Sequence, residues 1–116
     1  MSYMLYNFKM ANDVWHVTFV PRDSICLIDR CNEFRMATTD PSTMCIYLSR
    51  DLSGDMLRHV LLHELGHCAI YSYNLLGDIH RLTKKRYWVE SEEWLCNFIA
   101  NHSQEVLGIA NDILGG

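Results

Sequence analysis

Apolar and polar residues alternate along the first half of the chain and recur at three- and four-residue intervals along the second. Over positions 14–20, Val14, His16, Thr18 and Val20 fall on one face and Trp15, Val17 and Phe19 on the other, the period of two expected of a half-buried strand. A strand over residues 3–9 and a short turn at Ala11-Asn12-Asp13 complete a hairpin, and Pro21 ends its second arm. Residues 24–28 and 34–37 predict two more short strands around a turn at 29–32. Thr38-Thr39-Asp40-Pro41-Ser42 has turn chemistry, and residues 43–48 (TMCIYL) form the most strand-like run of the chain. These runs predict a small, mostly antiparallel sheet, in which TMCIYL reads either as a core strand or as an edge strand beside the first helix that could add an extended peptide by main-chain pairing.

That helix is predicted over 54–73. Ser53 stands as its cap, Asp55 lies in its first turn, and Met56, Leu57, Val60, Leu61 and Leu65 recur at helical spacing. Residues 74–88 read as a connecting segment whose basic cluster, Arg81, Lys84, Lys85 and Arg86, is a solvated surface. A second, long helix is predicted from a cap at Ser91 to about residue 113. Its apolar stripe, Trp94, Leu95, Phe98, Ile99, Val106, Ile109 and Ile113, is its expected core face. The chain therefore reads as one α+β domain over 1–116, a sheet packed on two helices, with no repeat and no linker.

Composition narrows the function classes. The 116 residues are 49% hydrophobic with 6 Gly and 2 Pro, as in a folded protein. The formal net charge is −4, the wrong sign for a protein that coats nucleic acid. No basic leader with an apolar run opens the sequence, and no stretch of about 18 apolar residues exists; a cytoplasmic location with no membrane partner is expected. Five scattered cysteines without a CxxC pair predict reduced, mostly buried thiols.

The chemistry lies in His63-Glu64-Leu65-Gly66-His67, an H-E-x-x-H sequence inside the first predicted helix. Two histidines four residues apart differ by about 40° around the helix axis, so both imidazoles reach one Zn²⁺. Glu64, about 100° from His63, is placed to take a proton from water activated by the metal, which makes it a base and not a ligand. His59, one turn upstream, reads as a surface residue.

A catalytic zinc needs a third protein ligand. The extended pattern H-E-x-x-H-x-x-G-x-x-H would require Gly at 70 and His at 73, where this chain has Ile70 and Tyr73. The acids of the second helix, Glu90, Glu92 and Glu93, are the other source. The helical wheel favours Glu92, which lies nearer the edge of the apolar stripe. Glu93 instead shares a face with Cys96, Asn97 and Ala100, small or polar residues that permit close approach to the Gly66 helix. Glu93 is the preferred ligand, Glu92 the alternative, and Asn97 is placed to support a ligand histidine. Tyr71, Tyr73, Tyr87, His80 and His102 are available as stabilisers of a tetrahedral oxyanion, with no choice among them.

The HELGH helix, the preceding text TTDPSTMCIYLSRDLSGDMLRHVL and the EEWLCNFIA segment, similar to an E-x-x-x-N-x-x-A element, together resemble the short gluzincin-like metallopeptidases of the ImmA/IrrE kind, many of them phage or prophage encoded. The resemblance implies His63, His67 and Glu93 as zinc ligands, Glu64 as catalytic base, Asn97 as supporting group and a minimal zincin-like fold. Leu95-Cys96 departs from the Glu-Ala usual before that Asn, and no helix-turn-helix region is present. The expected function is zinc-dependent hydrolysis of a protein or peptide substrate. The alternative is a catalytically silent, zinc-bound protein-interaction module.

Overall fold

A computed structural model describes residues 5–115. Strands β1 (Leu5–Met10) and β2 (Asp13–Val20) pair antiparallel with Met10 opposite Asp13. The two-residue connection Ala11-Asn12 places Ala11 at φ 54, the positive dihedral that tight hairpin turns require. The expected hairpin is therefore present; residues 3 and 4 of its first arm lie outside the described residues.

The sheet is completed by β3 (Ala37–Asp40) and β4 (Cys45–Ser49) in the order β1-β2-β4-β3. β3 and β4 are antiparallel, whereas β2 and β4 run parallel, with His16 opposite Cys45 and Val20 opposite Ser49. The sheet is thus mixed, its central pairing departing from the mostly antiparallel expectation. Residues 21–36 carry the chain past the position of β4 to the far edge, so β4 returns alongside β2 in the same direction.

That crossover also corrects the local assignments. Residues 25–27 form a 3₁₀ turn, with the Ser24 hydroxyl accepting a hydrogen bond from the Cys26 N–H. Phe34 keeps only an isolated bridge to Ile28. The predicted turn at Thr38, Thr39 and Asp40 is strand β3, since β-branched residues suit pairing once a partner is present, and the chain reverses only after Asp40. TMCIYL is not an edge strand: β4 lies between β2 and β3, and β3 is the edge on that side of the sheet.

Helix α1 (Gly54–Ser72) follows the expected span, but Ser53 makes no side-chain cap bond. The segment read as irregular contains α2 (Leu76–Leu82) and a 3₁₀ turn at Lys85–Tyr87, and α3 (Trp88–Ile113) starts three residues before Ser91. No helix among the described residues is long and apolar enough to cross a membrane.

Trp15, Val17, Ile46, Leu48, Leu52 and Cys68 bury the inner face of the sheet against α1. Trp15 is fully buried, donates from Nε1 to Ser72 Oγ at 2.8 Å, and meets Tyr71 edge-on with ring centroids 5.9 Å apart. This bond anchors the end of α1 to the sheet. The packed face of α3 overturns the expectation from its wheel: Glu92, Cys96 and Ala100 are buried, while Trp94, Phe98, Val106, Ile109 and Ile113 are exposed. Small residues win the interface because α1 presents a glycine there. A Cβ on Gly66 would stand 3.1 Å from Cys96 Sγ and 3.2 Å from Cys96 Cα, so backbone proximity, not apolar area, sets the contact. Of the five free cysteines only Cys68 and Cys96 are buried; Cys26 and Cys45 are partly exposed and Cys31 is exposed, which corrects the mostly buried expectation.

Candidate metal centre

His63 and His67 project from successive turns of α1 with ring centroids 5.0 Å apart. The first turns of α3 bring two adjacent carboxylates to them. Glu93 spans the pair, with Oε2 3.1 Å from His63 Nε2 and Oε1 3.2 Å from His67 Nε2. Glu92, the more buried acid, sits on the other side of the second ring, its Oε2 2.6 Å from His67 Nδ1. Consecutive helical residues point about 100° apart, so one turn of α3 supplies a group to each nitrogen of the same imidazole.

Glu64 turns away from this pair toward the sheet. Its carboxylate is 6% exposed, accepts a 2.9 Å hydrogen bond from Thr39 Oγ1 on β3, and has Oε2 3.9 Å from His63 Nε2. Arg30, from the turn at residues 29–32, reaches across the opening to donate to Glu92 at 3.4 and 3.1 Å and to Glu93 at 3.3 Å. That turn is itself tied down by Asp29, which accepts from the Cys31 and Glu33 N–H groups and from Arg35. These elements enclose a cleft of about 960 Å³, with Thr39, Asp40, Tyr71 and Asn97 on its walls.

The charges are set by burial and by these contacts. Burial raises the Glu64 carboxyl above its ordinary value, against the opposing pull of His67 and the Thr39 hydroxyl. Hydrogen bonds from His63 and His67 hold Glu93 well below the carboxylate range. Burial works to raise Glu92, but its bonds with His67 and Arg30 prevail and lower it. Burial would drive His67 down, yet hydrogen bonds with Cys96, Glu92 and Glu93 push it up to about 12.

The donor set fits a divalent cation. Two imidazole nitrogens and a carboxylate that spans them are borderline donors of the kind zinc takes. With Glu92 on Nδ1 of His67, an ion that displaced the Nε2 proton would find that nitrogen's lone pair turned to it, the arrangement by which a carboxylate orients a ligand histidine. Glu64, Glu92 and Glu93 stand around the two imidazoles, and a dication that displaced the imidazole protons would be met by their negative charge.

His63, Glu64, His67 and Glu93, each singled out from the sequence, are thus brought together in one cleft. Glu90 is exposed and outside it, and His59 is exposed. Asn97 lines the cleft but is exposed, and the supporting role expected of it is filled at His67 by Glu92. Of the five oxyanion candidates, Tyr71 alone lines the cleft. Arg81, Lys84, Lys85 and Arg86 are exposed and away from it. Sequence reasoning missed Thr39 and Arg30, which belong to segments whose local chemistry signals only turns. Neither the protein-family models nor the curated proteins compared with the chain match it.

Proposed function

We propose that the chain is a zinc-dependent metallopeptidase of the gluzincin type, similar to the ImmA/IrrE kind, acting on a protein or peptide substrate. The observation that carries this reading is the convergence of His63, His67 and Glu93 beside the buried Glu64 at the floor of an open cleft. His63 and His67 through Nε2, with the Glu93 carboxylate, would hold the ion. Zn²⁺ bound there lowers the pKa of water and polarises a carbonyl.

The remaining work falls to side chains of the chain. Glu64 in its ionised form accepts the proton of the attacking water and returns it to the leaving amine. Its raised pKa suits both halves of that transfer, and Thr39 fixes the carboxylate that performs it. Glu92 keeps His67 in register, and Arg30 keeps Glu92 in place. The outer edge of β3 borders the cleft, where an extended substrate can add by main-chain pairing; this role passes to β3 from the TMCIYL strand.

The test is cleavage of a denatured protein mixture by the zinc-loaded chain, with new N-termini read by mass spectrometry. The wild type is expected to cut, and Glu64→Gln to lose about 10²–10⁴-fold in rate while keeping its zinc. Cleavage unaffected by Glu64→Gln overturns the assignment. Zinc held by a wild type that cuts nothing would favour the interaction module instead.

A further inference from the structure

Cys96 is fully buried on α3, one turn beyond Glu92 and Glu93, and peptide hydrolysis as described makes no use of its thiol. Its Sγ forms a group with one nitrogen of His63 and one of His67 in which all three atoms lie within 4.8 Å of one another. Gly66 makes this possible. The Cβ that any other residue would carry there would press on Cys96 Sγ at 3.1 Å, so the missing side chain on α1 admits the sulfur to the space beside the two imidazoles. Donors around a tetrahedral zinc stand roughly 3.3–3.8 Å apart, given Zn–N and Zn–S bonds of about 2.0–2.3 Å. His67 also belongs to a second such group with Glu92 and Glu93, so the sulfur and the Glu93 carboxylate approach the same imidazole and would close on one ion when it binds.

We propose that Cys96 is a fourth protein ligand of this centre. On binding of the ion the S–H proton would pass to solvent, and the thiolate would offer an electron pair to the metal beside His63, His67 and Glu93. The inference rests on the metal reading above and deepens it. Four protein donors would leave no position for water, so the loaded protein would rest closed. A thiolate in the set also selects zinc over magnesium, calcium or manganese, which prefer oxygen donors.

Cobalt(II) added to the chelated full chain tests this. A thiolate ligand produces an intense near-ultraviolet sulfur-to-cobalt charge-transfer band, which imidazole and carboxylate donors do not. The band is expected to grow to saturation at one cobalt per chain, to be retained in Cys68→Ala, and to be lost in both Cys96→Ser and Cys96→Ala. One equivalent of cobalt bound by the wild type without the band overturns the role of Cys96 and leaves the metal reading standing. A band that survives both Cys96 variants assigns the sulfur elsewhere and also overturns it. Failure to bind cobalt or zinc at all overturns both.

Discussion

Glu92 and Glu93, neighbours on one helical turn, grip different nitrogens of the same imidazole: Glu92 Oε2 lies 2.6 Å from Nδ1 of His67, and Glu93 Oε1 lies 3.2 Å from Nε2. The two acids therefore have separable consequences. Glu93→Gln is expected to abolish stoichiometric zinc binding. Glu92→Gln should keep one zinc per chain with affinity lowered about 10–100-fold, the effect of losing the carboxylate that orients a ligand histidine. Metal analysis together with chelator competition distinguishes the two, and the reverse pattern would make Glu92 the ligand.

The same contacts predict how the metal-free protein responds to pH. Glu93 is depressed below its ordinary 4.5, so its contribution is present above pH 4.5 and is lost as pH falls through its folded value. His67 is raised from 6.5 to about 12, so its contribution is complete below pH 6.5 and is lost as pH rises toward 12. Glu64, raised by burial, adds a loss as pH climbs above 4.5 and narrows the maximum. Thermal unfolding of the chelated chain should therefore peak between about pH 4.5 and 6.5. Glu93→Gln should flatten the acid side of that peak, and an unchanged acid limb would count against the ion pairs.

Gly66→Ala tests the approach of α1 to α3. The new Cβ meets Cys96 at 3.1–3.2 Å, where the backbone of α3 must move with the sulfur. Overpacking of this kind costs about 1–3 kcal/mol, despite the better helix propensity of alanine. Urea unfolding should show this loss, and zinc affinity should fall because the acids of α3 are displaced from the histidines. A variant as stable as the wild type would show that the helices yield freely.

Trp15→Ala removes the largest fully buried side chain and the hydrogen bond that ties Ser72 to the sheet. A loss of about 3–5 kcal/mol is expected. That is a large fraction of the 5–15 kcal/mol typical of a domain, so the variant should be measurably unfolded well below the wild-type midpoint in urea. Trp15→Phe should lose less, since most of the ring volume is kept.

Local chemistry made the β1–β2 hairpin and α1 legible, because their signals lie within consecutive residues: alternation at 14–20 and the recurrence of Val60, Leu61 and Leu65. The parallel pairing of β2 with β4 was not legible, since it depends on where residues 21–36 cross the sheet. The threonines at 38 and 39 read as turn formers until β4 is available to pair with them. The packed face of α3 was misread because a helical wheel ranks residues by hydrophobicity, and at this interface fit against Gly66 outweighs it.

The centre divides in the same way. The sequence by itself determined the His63-Glu64-His67 spacing, since one helical turn dictates which side chains share a face, and it narrowed the candidates for a third ligand to the acids near the start of the last helix. Only the tertiary structure decided which acid meets which nitrogen, that Thr39 holds Glu64, that Arg30 bridges the two acids of α3, and that the thiol of Cys96 lies beside the imidazoles. These contacts join residues 25 to 63 positions apart. Their geometry follows from how closely α1, α3 and the β3 edge approach one another, and no periodicity within a single segment encodes that distance.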